Sequence, residues 1–220
     1  MLELLIPEST KQIVFVHTPS WRATHGVLER FRRSGNSWDE DGPPISVSLG
    51  ANGMGWGVGL QQSQELGPLK NEGDKRTPAG IFRLGPAFGY SETKPEGVSI
   101  PYRQATTNSY FVDDPNSSLY NSWVDCCEDN VTSWKSAEKM RRQDWLYNLG
   151  LVVQQNTDPV IKGRGSAVFL HIRIRPDQVT SGCIAMPEQD LKHLLQWLKV
   201  DQAPLLLAVP DGEINSMRLR

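Results

Sequence analysis

Residues 169–186 read FLHIRIRPDQVTSGCIAM. The first half alternates in the manner of an extended strand. Val168, Leu170, Ile172 and Ile174 fall on one face, and Phe169, His171, Arg173 and Arg175 on the other. Pro176-Asp177 signals a turn, and the small residues Thr180-Ser181-Gly182 lead the chain back to Cys183. A helix is predicted over 187–200. Pro187 suits its first position, Glu188 and Asp190 its positive end, and Leu191, Leu194, Leu195 and Leu198 form an apolar stripe at helical spacing. The following APLLLAVP, Ala203–Pro210, reads as a buried strand.

His171 and Cys183 are twelve positions apart, enough for the turn to bring imidazole and thiol together. A cysteine needs such a partner because only the thiolate attacks well, and at a pKa of about 8.5 little is ionised near neutrality. A glycine just before the nucleophile lets backbone amides converge on one point, as an oxyanion hole requires. A lone histidine on a sheet face is more often merely tolerated, and a free cysteine is more often a small core residue. The two together, joined by the Ser-Gly turn, favour a nucleophilic cysteine enzyme. If the strand is regular, the imidazole shares its face with the guanidiniums of Arg173 and Arg175, a setting that favours a thiolate or a substrate carboxylate.

Bulk properties narrow the classes. The chain has 220 residues, 38% hydrophobic and 22% charged, with a net charge of −2. It can bury a substantial core, and nothing in its charge points to nucleic acid or a membrane surface. No apolar run approaches the ~20 residues of a membrane helix. The start, MLELLIPESTKQ, shows no basic segment followed by an apolar one, so no secretory signal is visible. Cys126, Cys127 and Cys183 are too few for a disulfide framework, and the adjacent pair lacks zinc-site spacing.

Elsewhere short β-like segments dominate. Gln12–His17, Ile45–Leu49, Ala79–Leu84, Tyr110–Val112 and Leu149–Gln154 read as strands, and Gly26–Arg33 as strand or short helix. Gly50–Gly59 reads as loop or bulged strand; it lacks the Lys-Ser/Thr of a phosphate loop. Ser136–Arg142 is predicted as a short helix. His17, His25 and His193 have no partner pattern, and core packing is the default for Trp56, Trp123 and Trp134. Asn116-Ser117-Ser118 and Asn130-Val131-Thr132 match glycosylation sequons, which arise often by chance. The expectation is a single mainly β (α+β) domain over 1–220.

The run from His171 to Ser181-Gly182-Cys183 resembles the signature of the L,D-transpeptidase catalytic domain, the YkuD-like family. Thr77-Pro78-Ala79-Gly80-Ile81-Phe82, within Gly73–Phe82, resembles the family's Thr-Pro-x-Gly-x-Phe segment. Asp113-Asp114-Pro115, Tyr120-Asn121 and Asn156–Pro159 are similar to segments of one uncharacterised bacterial branch, so the likeness runs from about 12 to 209. The resemblance implies a β-sandwich of two mixed sheets with a few helices, one following the cysteine. It implies that Cys183 attacks the third-residue carbonyl of a peptidoglycan stem tetrapeptide, with His171 as base. Backbone amides of Ser181, Gly182 and Cys183 would bind the oxyanion, and Arg173, Asn156 and Tyr120 would contact the substrate. D-Alanine leaves, and an amine acceptor resolves the thioester. No metal or organic cofactor is implied, and the bacterial envelope is the implied compartment.

Two positions depart from the family's pattern. Ser181 stands where most members have a second histidine, and Ala185 where Asn or Arg is frequent; the His-to-Cys spacer is also short. Substrate and acceptor choice therefore stay open between a transpeptidase and a hydrolase on the same scaffold, with a non-catalytic wall-binding module as the reading from another class. Ile172 offers no side-chain acceptor for His171, so a backbone carbonyl is expected to orient the ring.

Overall fold

The computed structural model describes residues 6–62, 66–126 and 133–214. Fourteen strands run in chain order: β1 Gln12–Thr18, β2 His25–Ser34, β3 Ser37–Glu40, β4 Ile45–Ser48, β5 Met54–Trp56, β6 Thr77–Gly89 and β7 Tyr102–Gln104, then β8 Ser109–Val112, β9 Ser122–Asp125, β10 Ala137–Lys139, β11 Leu149–Gln154, β12 Phe169–Ile172, β13 Ile184–Met186 and β14 Leu205–Pro210. Among the described residues one α-helix, α1, spans Glu188–Trp197. The predicted mainly β, mixed-sheet architecture is present. Its large sheet has 11 strands in the order β1-β14-β6-β11-β12-β13-β4-β2-β3, with β5 and β7 on β6. Because β1 also pairs with β2, this sheet closes on itself. A second sheet, β10-β8-β9, is separate.

Two apolar clusters divide the interior. Leu170 and Ile172 of β12 belong to the main one, with Ile184, Met186, Leu191, Leu194 and Leu195. Phe169 faces the other, which holds Phe88, Phe111, Met140, Tyr147 and Cys183. The alternation along β12 therefore separates two buried faces, not a buried and a wet one. The aromatic cluster packs edge to face: Phe169 meets Phe88, Phe111 and Tyr147 at ring-centroid distances of 5.3, 5.1 and 5.6 Å, the arrangement that ring quadrupoles favour.

Several segments differ from expectation. Ser136–Arg142 is not helical; β10 pairs there with β8, burying Met140 completely and turning Glu138 and Arg142 toward the site. The good helix formers in that stretch are overridden by tertiary packing. Gly26–Arg33 resolves as strand, and Pro187 is the N-cap of α1, not its first residue. The helix stops at Trp197, where buried Gln12 takes over. Its side chain donates to Trp197 O and accepts from Lys199 N, both at 2.8 Å, satisfying groups left unpaired at the helix end. The strand after residue 168 ends at Ile172, so Arg173 and Arg175 do not continue its face. Cys127 and the sequon at Asn130 lie outside the described residues.

The clusters meet at Gly150 on β11, which pairs with Phe88 and with His171. A Cβ on Gly150 would lie 2.2 Å from Phe88 Cζ, in a ring that is fully buried. Gly150→Ala is expected to cost about 1–3 kcal/mol, the usual penalty of overpacking. Urea unfolding checks this, and an unchanged midpoint would refute it.

Candidate active site

Cys183 is delivered by a turn held through two threonines. Thr180 Oγ1 accepts from Gly182 N at 3.1 Å and donates to Cys183 O at 2.7 Å. Thr77 Oγ1 donates to the same carbonyl at 3.3 Å and accepts from Gly50 N at 2.8 Å. Gly182 sits at φ +142, and a Cβ there would be 2.9 Å from Arg76 O. Only glycine fits both the backbone angle and the space. The role of Thr77 is not visible in the sequence, because its bonds join residues far apart along the chain.

The parallel pair β12–β13 then sets the two candidate side chains, His171 and Cys183. Leu170 pairs with Ile184 and His171 with Ala185. Phe169 and His171 share a face with Cys183 and Ala185, so the imidazole and the thiol are diagonal neighbours on one side of the sheet. Both line a cavity of about 610 Å³. His171 Nδ1 lies 2.8 Å from Ile172 O. The carbonyl can only accept, so Nδ1 carries the proton and Nε2 is the basic nitrogen. Tyr147 packs edge-on to the imidazole, 5.4 Å between centroids.

The resting pair is neutral. Burial pushes the Cys183 thiol up to about 12, partly offset by the Phe169 amide and by the charges of Lys70 and Arg142. Burial lowers His171 to about 4; its contact with Ile172 opposes the shift and Arg142 adds to it. The thiol meanwhile donates to Ala167 O at 3.6 Å. Cys183 is the free cysteine among the described residues, and Cys126 is disulfide-bonded.

The guanidinium facing this pair belongs to Arg142. It binds Asp144 through Nε at 2.8 Å and through Nη2, and Glu138 Oε1 through Nη1 at 2.6 Å. Tyr147 donates to the same Glu138 oxygen at 3.2 Å. Arg142 holds Asp144 below the usual carboxylate range, and burial holds the Tyr147 hydroxyl well above 10. Lys70 is buried and ion-paired to Asp74. Sequence reading missed Arg142, whose segment is predicted as a short helix.

The remaining sequence candidates are placed differently. Arg173 bonds Ser48 Oγ at 3.2 Å and is not among the cavity walls. Asn156 is fully buried at φ +55, its side chain spent on Ile161 and Gly165. Tyr120 is buried outside the lining and donates to Glu72, which does line the cavity. Ser181 is exposed and lines it. His17 pairs with Asp211 at 2.7 Å, and His193 with Gln189 at 2.8 Å, both away from the site.

The model of the L,D-transpeptidase catalytic domain, YkuD, matches residues 11–206. The chain belongs to that family. Among solved structures, this YkuD domain is similar to Bd1075 of Bdellovibrio bacteriovorus, at 13% identity and a TM-score of 0.46, covering 93% of this chain and 51% of that one. It is similar too to the helical cell shape determining protein Pgp2 of Campylobacter jejuni, at 15% identity and a TM-score of 0.47, covering 91% and 48%. The chain thus spans about half the length of these proteins. Comparison with curated proteins gives no match. Among the described residues of the YkuD domain, no helix is long and apolar enough to cross a membrane.

Two predictions follow from the neutral pair. With the thiol near 12, iodoacetamide alkylation of Cys183 should accelerate about tenfold per pH unit from pH 7 to 10 without levelling. A plateau near pH 7 would instead show a preformed thiolate–imidazolium pair. His171 sits near 4 in the fold against 6.5 unfolded, so the unfolded chain binds more protons between those values. Stability should therefore fall as pH drops through that window, by about 3 kcal/mol from this residue. Urea titrations of wild type and His171→Asn check the sign; equal acid sensitivity would refute it.

Proposed function

We propose that this YkuD domain is a cysteine acyltransferase acting on peptidoglycan stem peptides, with Cys183 as nucleophile and His171 as general base. The observation that carries the reading is the shared face of β12 and β13, which opens both side chains into one cavity. Family membership supports the substrate class and a place in the cell envelope.

The chemistry follows from the proton inventory. His171 Nε2 takes the Cys183 proton as the sulfur attacks the third-residue carbonyl of the donor peptide. The carbonyl π electrons move to oxygen, where backbone amides stabilise the charge. Of the three candidate amides, that of Gly182 already donates to Thr180 Oγ1, so Ser181 and Cys183 supply the oxyanion contacts. The tetrahedral centre collapses, the C–N bond breaks, and His171 returns its proton to the departing D-alanine amine. An acceptor amine then attacks the thioester and thiol is regenerated; if water attacks, the same acyl-enzyme gives hydrolysis. Because the thiol is held high and the imidazole low, proton transfer is coupled to attack and waits for the substrate.

Intact mass spectrometry after incubation with a carbapenem tests this. Wild type should gain one adduct, Cys183→Ala none, and His171→Ala should acylate more slowly by about 10²-fold or more. Tetrapeptide turnover with and without an acceptor amine then separates transfer from hydrolysis. No adduct on wild type would overturn the catalytic reading and leave a wall-binding module.

A further inference from the structure

The acyl-transfer reading leaves the oxyanion with two backbone donors, because the Gly182 amide is committed to Thr180 Oγ1. On the cavity wall beside that turn lies Lys70, whose side chain is 4% exposed. Its backbone is set by the pairing of Leu69 with Trp56, and Lys70 N donates to Trp56 O at 2.9 Å. From there the stem crosses Gly165. A Cβ on that glycine would lie 3.0 Å from Lys70 Cε and 3.1 Å from Cγ. The stem ends at the Cys183 turn: the position that a Gly182 Cβ would take is 3.9 Å from Lys70 Nζ. Two glycines thus open the path that carries the ammonium to the residue between the two oxyanion amides.

The ammonium is held there with a donor to spare. It gives one N–H to Asn71 O at 2.8 Å and one to Asp74 Oδ1 at 2.5 Å. Of its three donors, the third has no acceptor among the described residues. Asp74 does not cancel the charge outright, since its oxygens also accept from the Asn71 amide at 2.7 Å and the Arg76 amide at 2.9 Å. The field of Lys70 reaches the thiol, lowering Cys183 against the larger effect of burial. A buried cation with an idle donor is unfavourable. An anion forming beside it relieves that state.

We propose that Lys70 is a third oxyanion donor, completing the hole formed by the amides of Ser181 and Cys183. The inference rests on the acyl-transfer reading above and adds a side-chain catalytic residue to it. As the sulfur attacks, the carbonyl π electrons move to oxygen, and Lys70 places a positive charge and an idle N–H beside that oxygen. Lys70 keeps its proton throughout. The contact forms with the tetrahedral centre and is released when that centre collapses to the thioester. Because the cation is fixed before the substrate arrives, it needs no reorganisation during the reaction. The competing role is structural, as a strut that ties Asn71 and Asp74 into the turn over residues 70–76.

Two reactions of the same thiol separate these roles. Acylation by a carbapenem develops an oxyanion, whereas alkylation by iodoacetamide displaces iodide and develops none. Lys70→Met alone leaves Asp74 without its partner, and breaking a buried pair is strongly destabilising. The double variant Lys70→Met, Asp74→Asn replaces the pair with neutral groups and keeps the net charge, so it carries the test if the single variant does not fold. In both, acylation followed by intact mass should slow about 10–10²-fold, up to the usual loss of one oxyanion donor. Alkylation of Cys183 in the double variant should stay within about threefold of wild type, because that rate follows the thiolate fraction. Equal slowing of the two reactions would assign Lys70 to the turn alone and overturn the proposal. A wild type that forms no adduct overturns the acyl-transfer reading and the role of Lys70 with it. A wild-type adduct that forms as fast in the double variant overturns the role of Lys70 alone.

Discussion

The site depends on a parallel strand pairing made over a short connection. Parallel neighbours ordinarily need a crossover of a dozen or more residues, often a helix. Here β12 and β13 are joined by residues 173–183 without regular structure. So short a return cannot wander. It is held to the segment that follows β4 by Thr180 N to Leu49 O at 2.8 Å and Ala51 N to Thr180 O at 2.9 Å, and it ends in the threonine-bound turn at Cys183. The register that follows puts His171 opposite Ala185, and the thiol two residues earlier on the same face. A slip of one residue would send the imidazole and the thiol to opposite faces.

That same geometry buries the pair. The three-stranded sheet covers the face that alternation alone leaves undecided, and its aromatic cluster surrounds the base of the site. The consequence is electrostatic. Desolvation pushes thiol and imidazole toward their neutral forms, and the nearby charges are mostly locked in ion pairs whose fields partly cancel. Arg142 lies between two carboxylates and Lys70 beside one. The fold thus holds the Cys183 thiol protonated at rest.

Legibility in the sequence followed the range of the interactions. β11 runs over the predicted residues, and the His171-to-Cys183 unit and α1 were readable because alternation, turn residues and helical spacing are local. The closure of the sheet by β1 and β2 was not, because it pairs elements whose neighbours are set by topology. Ser136–Arg142 was misread for a related reason. Its helix formers were outweighed by pairing with β8 and by a buried Met140, and with it went the chance of finding Arg142. Asn156 and Tyr120 were noticed for the right segments but the wrong work. Asn156 satisfies carbonyls within its own loop, and Tyr120 holds a carboxylate that itself faces the cavity.

The two departures from the family's pattern have separate physical standing. Ser181 is exposed, and the bonds that shape the turn come from Thr180 and Gly182 on either side of it. A side chain at this position can therefore change without altering how the thiol is presented, which makes it a place where ligand contacts vary freely. Ala185 is different. It is fully buried beside His171 on the strand pair, so a long cationic side chain there would have to be desolvated against the imidazole. In this chain the guanidinium reaches the cavity from Arg142, beyond β10, where two carboxylates already neutralise it. A cation so occupied has little to offer an incoming carboxylate.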